Sequence, residues 1–126
     1  MNNMFQSCPS LQTVPLFNTI ALTAMSSMFS GCSSLQTVPA LNANTITNSA
    51  SYGNMFQACP SLSEIKMINL KFTCTVANCK LSATALNEIY TNLPTVTGQS
   101  INVTGNHGTS TDNPAIAQAK GWSVTG

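Results

Sequence analysis

The chain has 126 residues and a formal net charge of +1, and only 6% of its residues are charged while 43% are hydrophobic. This length allows one domain with a modest core. The weak charge excludes the basic surface typical of nucleic-acid-binding proteins, and it offers no attraction to an anionic membrane. No apolar run approaches the roughly 20 residues of a membrane-spanning helix, so we expect no membrane insertion.

One twelve-residue phrase occurs three times in the first half of the chain. It reads MFQSCPSLQTVP from Met4, MFSGCSSLQTVP from Met28 and MFQACPSLSEIK from Met55. Self-similarity at this spacing is typical of repeat architectures. We interpret each repeat as a short helix, a turn after the cysteine, a short strand and a loop that contains an asparagine.

The first predicted element of each repeat is the short helix. Its apolar residues stand at positions i, i+3, i+4 and i+7, which form one stripe on a helical surface. The three stripes are Met1, Met4, Phe5 and Cys8; Met25, Met28, Phe29 and Cys32; and Tyr52, Met55, Phe56 and Cys59.

The second predicted element is a strand, at residues 11–14, 35–38 and 62–65. Strands at equivalent places in stacked repeats pair in parallel. An asparagine follows each strand, and its side chain can bond the backbone of the next repeat. The recurring residues are Leu11, Val14 and Asn18; Leu35, Val38 and Asn42; and Leu62, Ile65 and Asn69.

The second half of the chain has the same order of elements with different residues. Residues 71–80 fit no repeat and are predicted to be an irregular connection. A helix over residues 86–93 has Ser82 or Thr84 as its N-cap and is followed by Pro94. A strand at 101–104 comes next, and Asp112 is a candidate N-cap for a second helix that starts after Pro114. A last strand is predicted at 122–125.

These elements predict one repeat domain over residues 1–126. Three clear repeats fill residues 1–70, the irregular connection fills 71–80, and two divergent closing repeats fill 81–126. A single repeat cannot bury its apolar side, whereas stacked repeats cover one another. The predicted fold is therefore α/β, a solenoid similar to leucine-rich repeats, with all five strands in one parallel sheet on one face and short helices on the other.

The phrase MFSGCSSLQTVPALNANTIT, from Met28, resembles the leucine-rich-repeat variant of BspA-type bacterial surface proteins. Related repeats occur in proteins attached to bacteriophage tails, and the stretch LSATALNEIYTNLPTVTGQSINVTGNHG, from Leu81, resembles the closing units of such arrays. The resemblance covers most of the chain except residues 71–80. It implies an extracellular adhesion module, on a bacterial surface or a virion, and it offers no catalytic residues to carry over.

Two functions remain open at this stage. One is recognition of a cell-surface glycan or protein by a regular face of the repeats. The other is a structural role as a spacer or capping segment of a fibre or surface assembly. Exposed aromatic clusters or variable polar loops on one face would favour recognition.

The five cysteines fall into two groups. Cys8, Cys32 and Cys59 share one place in the repeat, and we expect them to be reduced and buried, as small hydrophobic side chains. Cys74 and Cys79 lie in the irregular connection with four residues between them. A local disulfide and two free thiols are both open for this pair.

Acid–base chemistry has few candidate residues in this chain. His107 is the only histidine and is expected in a surface loop, and the only acids are Glu64, Glu88 and Asp112. Such scattered groups do not make a general acid–base pair, and single cysteines without a second ligand do not make a metal site. We therefore predict no enzymatic activity, no cofactor and no metal.

The start of the chain carries one further expectation. Met1 already occupies the first position of the first stripe, in phase with Met25 and Tyr52. An uncovered stripe of this kind would be an exposed apolar patch. We expect further repeats, a stalk or another subunit to cover the N-terminal end.

Overall fold

The computed structural model of the protein describes residues 2–126, apart from the side chain of Ser49, and Met1 lies outside the described residues. The chain is a mixed α/β protein with two small parallel sheets. Its elements are β1 (Thr37–Asn42), a 3-10 helix (Ser49–Tyr52), β2 (Glu64–Ile68), β3 (Cys74–Thr75), α1 (Ala83–Asn92), β4 (Gln99–Asn102), α2 (Ala115–Gln118) and β5 (Trp122–Thr125).

All strand pairs are parallel, as predicted, but they form two sheets and not one. In the first sheet β1 pairs with β2, with Val38 opposite Ile65, and the predicted strand at 11–14 is reduced to a bridge between Thr13 and Thr37. In the second sheet β4 lies between β3 and β5, with Ile101 opposite Val124. The strands predicted at 101–104 and 122–125 therefore do not continue the sheet of β1 and β2.

The short helices predicted from the three apolar stripes are wrong. Residues 2–8, 25–32 and 52–59, which we call the turn segments, form consecutive turns. Each contains two residues in the left-handed region, four positions apart, and this conformation interrupts the i to i−4 bonding of an α-helix. These residues are Asn3, Ser7, Ser27, Gly31 (φ 79°), Asn54 and Ala58 (φ 57°).

The turn segments satisfy their backbone by alternating two kinds of hydrogen bond. In the second repeat, the N–H groups of Ser27, Phe29 and Gly31 donate to carbonyl groups of the third repeat at 2.8–3.0 Å. The intervening N–H groups of Met28 and Ser30 donate to carbonyls three residues back, both at 3.2 Å. The helix-like spacing of apolar residues arises because each successive turn directs side chains to the same interior.

Residues 71–80, expected to be an irregular connection, contain β3 and then the pattern of a turn segment. Asn78 has a φ of 57° immediately before Cys79, as Ala58 does before Cys59. The N–H of Val76 donates to the carbonyl of Asn102 at 2.9 Å. In its repeat, β3 therefore occupies the place that a turn segment has in the earlier repeats. The second sheet is built on β3, and for this reason it is separate from the sheet of β1 and β2.

Both helices of the second half form where the sequence predicts them. The Ser82 hydroxyl accepts a hydrogen bond from the N–H of Ala85 at 3.2 Å, which makes Ser82 the N-cap of α1. Asp112 does not cap α2 as expected, because its carboxylate accepts a hydrogen bond from the Tyr90 hydroxyl at 2.6 Å. Helix α1 packs against β2 on one side and α2 on the other.

The core runs through the repeats without interruption. The ring of Phe29 is stacked on Phe5 with centroids 5.4 Å apart and on Phe56 at 5.7 Å, and both pairs are within 6° of parallel. Equivalent phenylalanines of three successive repeats therefore form one column. Such contacts add to the free energy that their burial contributes.

The recurring asparagines have a different role from the expected bond to the next repeat's backbone. The Oδ1 of Asn18 accepts from the N–H of Ile20 at 2.9 Å, and the Oδ1 of Asn42 accepts from Asn44 at 3.0 Å. Asn18 and Asn42 thus each close a turn in their own repeat. The Asn69 side chain contacts the preceding repeat, since its amide donates to Asn42 Oδ1 at 3.0 Å.

The left-handed turn residues lead to a stability prediction. A φ of 57° at Ala58 brings its Cβ close to the following carbonyl oxygen, and glycine has no Cβ to clash there. Ala58→Gly should therefore raise the free energy of unfolding by roughly 0.5–1 kcal/mol, measured by urea denaturation. The control Ala85→Gly in α1 should lower it by a similar amount. A destabilised Ala58→Gly protein would contradict the assigned backbone conformation.

Candidate functional site

The most exposed apolar side chains of the described residues lie in the loop that follows the first bridge. The Leu16 side chain is 76% exposed and that of Ile20 is 61% exposed. They border an open depression of about 400 Å³ that extends to Ala40, Asn42 and Ile68. We call this surface the loop patch.

Local hydrogen bonds fix the turn that carries Ile20. The Asn18 side chain closes the turn to Ile20, as described above, and the buried Thr19 hydroxyl accepts from the N–H of Asn42 at 2.7 Å. The Thr45 hydroxyl lies 3.0 Å from the carbonyl of Ile20. With Thr19 buried and both of its neighbours hydrogen-bonded, Ile20 stays exposed to solvent beside the exposed Leu16.

The loop patch carries no charged side chain in its lining. Amides border it, and Asn42 is linked to Asn69 of the next repeat. The nearby Lys71 ammonium donates to the carbonyl of Asn44 at 2.9 Å and does not line the patch. The surface therefore offers apolar contact and neutral hydrogen bonding.

The repeat cysteines form a ladder of thiols that bond from one repeat to the one before. The Cys32 thiol donates to the Phe5 carbonyl at 2.9 Å and the Cys59 thiol to the Phe29 carbonyl at 3.0 Å. Both residues are buried, as predicted, whereas Cys8 is only half-buried, so that part of the prediction is wrong. All five cysteines are free thiols, which decides the open question on Cys74 and Cys79.

The place equivalent to that of the repeat cysteines is filled, after Cys79, by Asn106. Gly105 precedes it with a φ of 76°, as Gly31 precedes Cys32. The buried Asn106 amide donates to the Val76 carbonyl at 2.9 Å, and its oxygen accepts from the N–H of Leu81 at 3.0 Å. Sequence reasoning missed this residue because an amide replaces the thiol of the other repeats. Only the preceding Gly105 indicates that Asn106 is equivalent to Cys32.

These repeats are recognised by a known family model. The family described as "Mycoplasma protein of unknown function, DUF285" matches residues 1–93. The chain belongs to this family. Searches of curated proteins and of solved structures gave no significant match.

The matched part of this DUF285 chain includes the three turn segments, the loop patch and α1. Among the described residues, no helix has the length and apolar character needed to cross a membrane.

The candidate acid–base residues of the DUF285 chain lie in three places. Glu64 on β2 and Glu88 on α1 are exposed and border one shallow depression, where Glu88 is 3.6 Å from the Lys66 ammonium. Asp112 is bonded to Tyr90, and His107 is exposed in its loop, as expected. Sequence reasoning did not foresee that Glu64 and Glu88 share a depression. The expected lack of enzymatic activity stays a prediction.

Burial controls the ionisation of the ladder thiols. Burial raises the pKa of Cys59 to about 11 and those of Cys74 and Cys79 to about 12, and it also raises the pKa of Cys32. The thiolate is the reactive form of cysteine. These thiols are therefore protonated and unreactive at neutral pH, and those of Cys32 and Cys59 are available as hydrogen-bond donors.

The ladder leads to a prediction about Cys32. Cys32→Ser should lower the free energy of unfolding by about 1–3 kcal/mol, because a buried hydroxyl costs more to desolvate than a thiol even when it keeps one bond. Chemical denaturation measures the change. Cys8→Ser is the matched control and should have little effect. In the folded protein, thiol labelling should reach Cys8 before Cys32 and Cys59, and equal labelling rates would contradict the burial.

The raised thiol pKa values also predict a pH dependence of stability. Above pH 9 the unfolded chain loses thiol protons that the folded chain keeps, so the unfolded state binds fewer protons and stability falls as pH rises. The Cys59 contribution is complete below pH 9 and is lost as pH rises through about 11. Urea midpoints between pH 8 and 11 should fall less steeply for Cys59→Val than for the wild type. Parallel slopes would contradict the protonated ladder.

Proposed function

We propose that the protein is a non-catalytic extracellular recognition module, carried on a bacterial surface or a virion, that binds a cell-surface protein or glycan. The observation that carries the proposal is the loop patch, where Leu16 and Ile20 are both exposed and the turn before Ile20 is closed by the Asn18 side chain. Contiguous exposed apolar patches on a small protein mark interaction sites. The resemblance to BspA-type and phage-tail repeats supports the same assignment.

The wider architecture that we propose is a solenoid of the leucine-rich-repeat kind. Its support is the parallel register of β1 with β2, the repeat-to-repeat bonds of the turn segments and the single column of phenylalanines. In such an array equivalent loops stack along one edge. The loop patch, with Asn42 linked to Asn69, is a part of that edge.

The composition of the patch favours a protein partner over a glycan. Sugar rings are usually held against exposed aromatic faces, whereas Phe17, the aromatic residue that lines the patch, is partly buried with its ring 6.1 Å from that of Phe5. The aliphatic Leu16 and Ile20 between neutral amides suit the apolar centre of a protein interface.

The structural alternative also has a supporting observation. The first two turn segments are bonded through their backbones to the repeat that follows, which favours a stiff spacer. A spacer needs no exposed aliphatic loop, so the loop patch is an observation that supports recognition.

Binding of the labelled protein to a panel of bacterial cells tests the proposal. Leu16→Ser combined with Ile20→Ser should reduce cell binding at least about tenfold, since two apolar anchors are lost. The control Met4→Ser removes an exposed apolar side chain outside the patch and should leave binding unchanged. Protease treatment of the cells should abolish binding and periodate oxidation of their glycans should not. Undiminished binding by the double variant, or no binding to any cell by the wild type, would favour the spacer.

A further inference from the structure

A cleft separates the third turn segment from the equivalent residues of the next repeat. It has a volume of about 210 Å³ between residues 54–58 and residues 75–78. A second cavity of about 270 Å³ continues it along the same junction, and the two share Asn54 and Thr75. We call the two together the inter-repeat cleft. It is distinct from the loop patch, and no residue lines both.

The first wall of the cleft presents three backbone donors. In the first two junctions the N–H groups at alternate positions of a turn segment donate to the next repeat, as Ser27 does to Gly53 and Phe29 does to Met55. The equivalent donors of the third repeat are the N–H groups of Asn54, Phe56 and Ala58. Within residues 2–126 these three groups have no protein acceptor.

The second wall presents the matching acceptors. Val76 is equivalent to Phe56, because each stands three residues before a buried cysteine that follows a left-handed residue, Cys79 or Cys59. The carbonyls that the three free donors would reach are therefore those of Thr73, Thr75 and Ala77. In the described chain, none of these carbonyls accepts from a backbone N–H of the third repeat.

After Cys59 and Cys79 the two repeats are again joined by a backbone hydrogen bond. The N–H of Lys80 donates to the carbonyl of Leu62 at 2.7 Å. The junction is therefore closed beside Cys59 and Cys79 and open along residues 54–58. A ladder of three donors faces a ladder of three acceptors, and none of the three bonds is made.

An extended peptide has the chemistry to complete both ladders. Along an extended backbone, the carbonyls and N–H groups recur at every second residue on each edge. One edge would accept from Asn54, Phe56 and Ala58, and the other would donate to the carbonyls of the opposite wall. We propose that the inter-repeat cleft binds an extended peptide segment of another protein as an added strand, parallel to the turn segments.

The lining specifies the kind of peptide. It contains no charged side chain, so charged residues would lose hydration without a partner. Phe56 and Cys74 are already buried at its floor, so side chains that point inward must be small. The expected ligand is an uncharged segment rich in glycine, alanine and serine, and its binding should change little with salt.

Amide hydrogen exchange on the full chain, followed by NMR, tests the free donors directly. Without ligand, the amides of Asn54, Phe56 and Ala58 should exchange at least about tenfold faster than those of Ser27, Phe29 and Gly31. Equal protection of the two sets would show that the third junction is already closed, and the proposal would be overturned.

The peptide itself is tested with acetyl-Ser-Ala-Ser-Ala-Ser-amide. Saturation with it should slow exchange of the three amides at least about tenfold, and a control peptide N-methylated at alternate residues should have no effect. Ala77→Trp, or the milder Ala77→Leu, should fill the cleft and abolish the slowing, while Ala119→Trp at the exposed residue just after α2 should retain it. No slowing at millimolar peptide, equal slowing by the methylated peptide, or slowing by maltohexaose alone would overturn the proposal. The exchange measurements do not depend on the loop patch. The double variant at Leu16 and Ile20 can lose cell binding while the exchange rates of Asn54, Phe56 and Ala58 stay the same.

Discussion

The structure depends on the left-handed residues of the turn segments. Two of them in each segment, such as Ser27 and Gly31, alternate the direction of the backbone so that every second N–H points to the next repeat. The other N–H groups of the segment donate to carbonyls three residues back in the same segment. Without this alternation, the same apolar spacing would favour a helix, and a helix has no backbone groups left over with which to bond its neighbour.

Much of the fold could be predicted because packing follows the hydrophobic pattern. The equivalence of Phe5, Phe29 and Phe56 is visible in the repeated phrase, and these rings form a column. Helix α1 combined a regular apolar pattern with a cap at Ser82 and was predicted nearly to its bounds. The parallel pairing of β1 and β2 followed from their shared place in the repeat.

The errors have a common physical origin. Apolar residues at i, i+3, i+4 and i+7 point to one side in an α-helix and also in a run of tight turns, so the period does not distinguish the two. The decisive positions hold small or amide residues, such as Asn54 and Ala58, whose identities do not demand a left-handed backbone. The second sheet was predicted to continue the first for the same reason. Only Asn78 and Gly105 indicate in the sequence that its strands lie next to left-handed turns. The loop patch was missed because the exposure of Ile20 beside Leu16 depends on the hydrogen bonds around Thr19 and not on the composition.

The direction of the repeat-to-repeat bonds has an electrostatic consequence. In an ordinary sheet the peptide dipoles of a strand alternate and nearly cancel. In the turn segments the N–H groups that leave a repeat all point forward along the stack, from Phe5 to Met28 and from Phe29 to Met55, and the carbonyls that receive them all point back. The dipoles therefore add across the chain, as they add along the axis of an α-helix. This gives the three stacked turn segments a macrodipole perpendicular to the backbone, with its positive pole at the third segment.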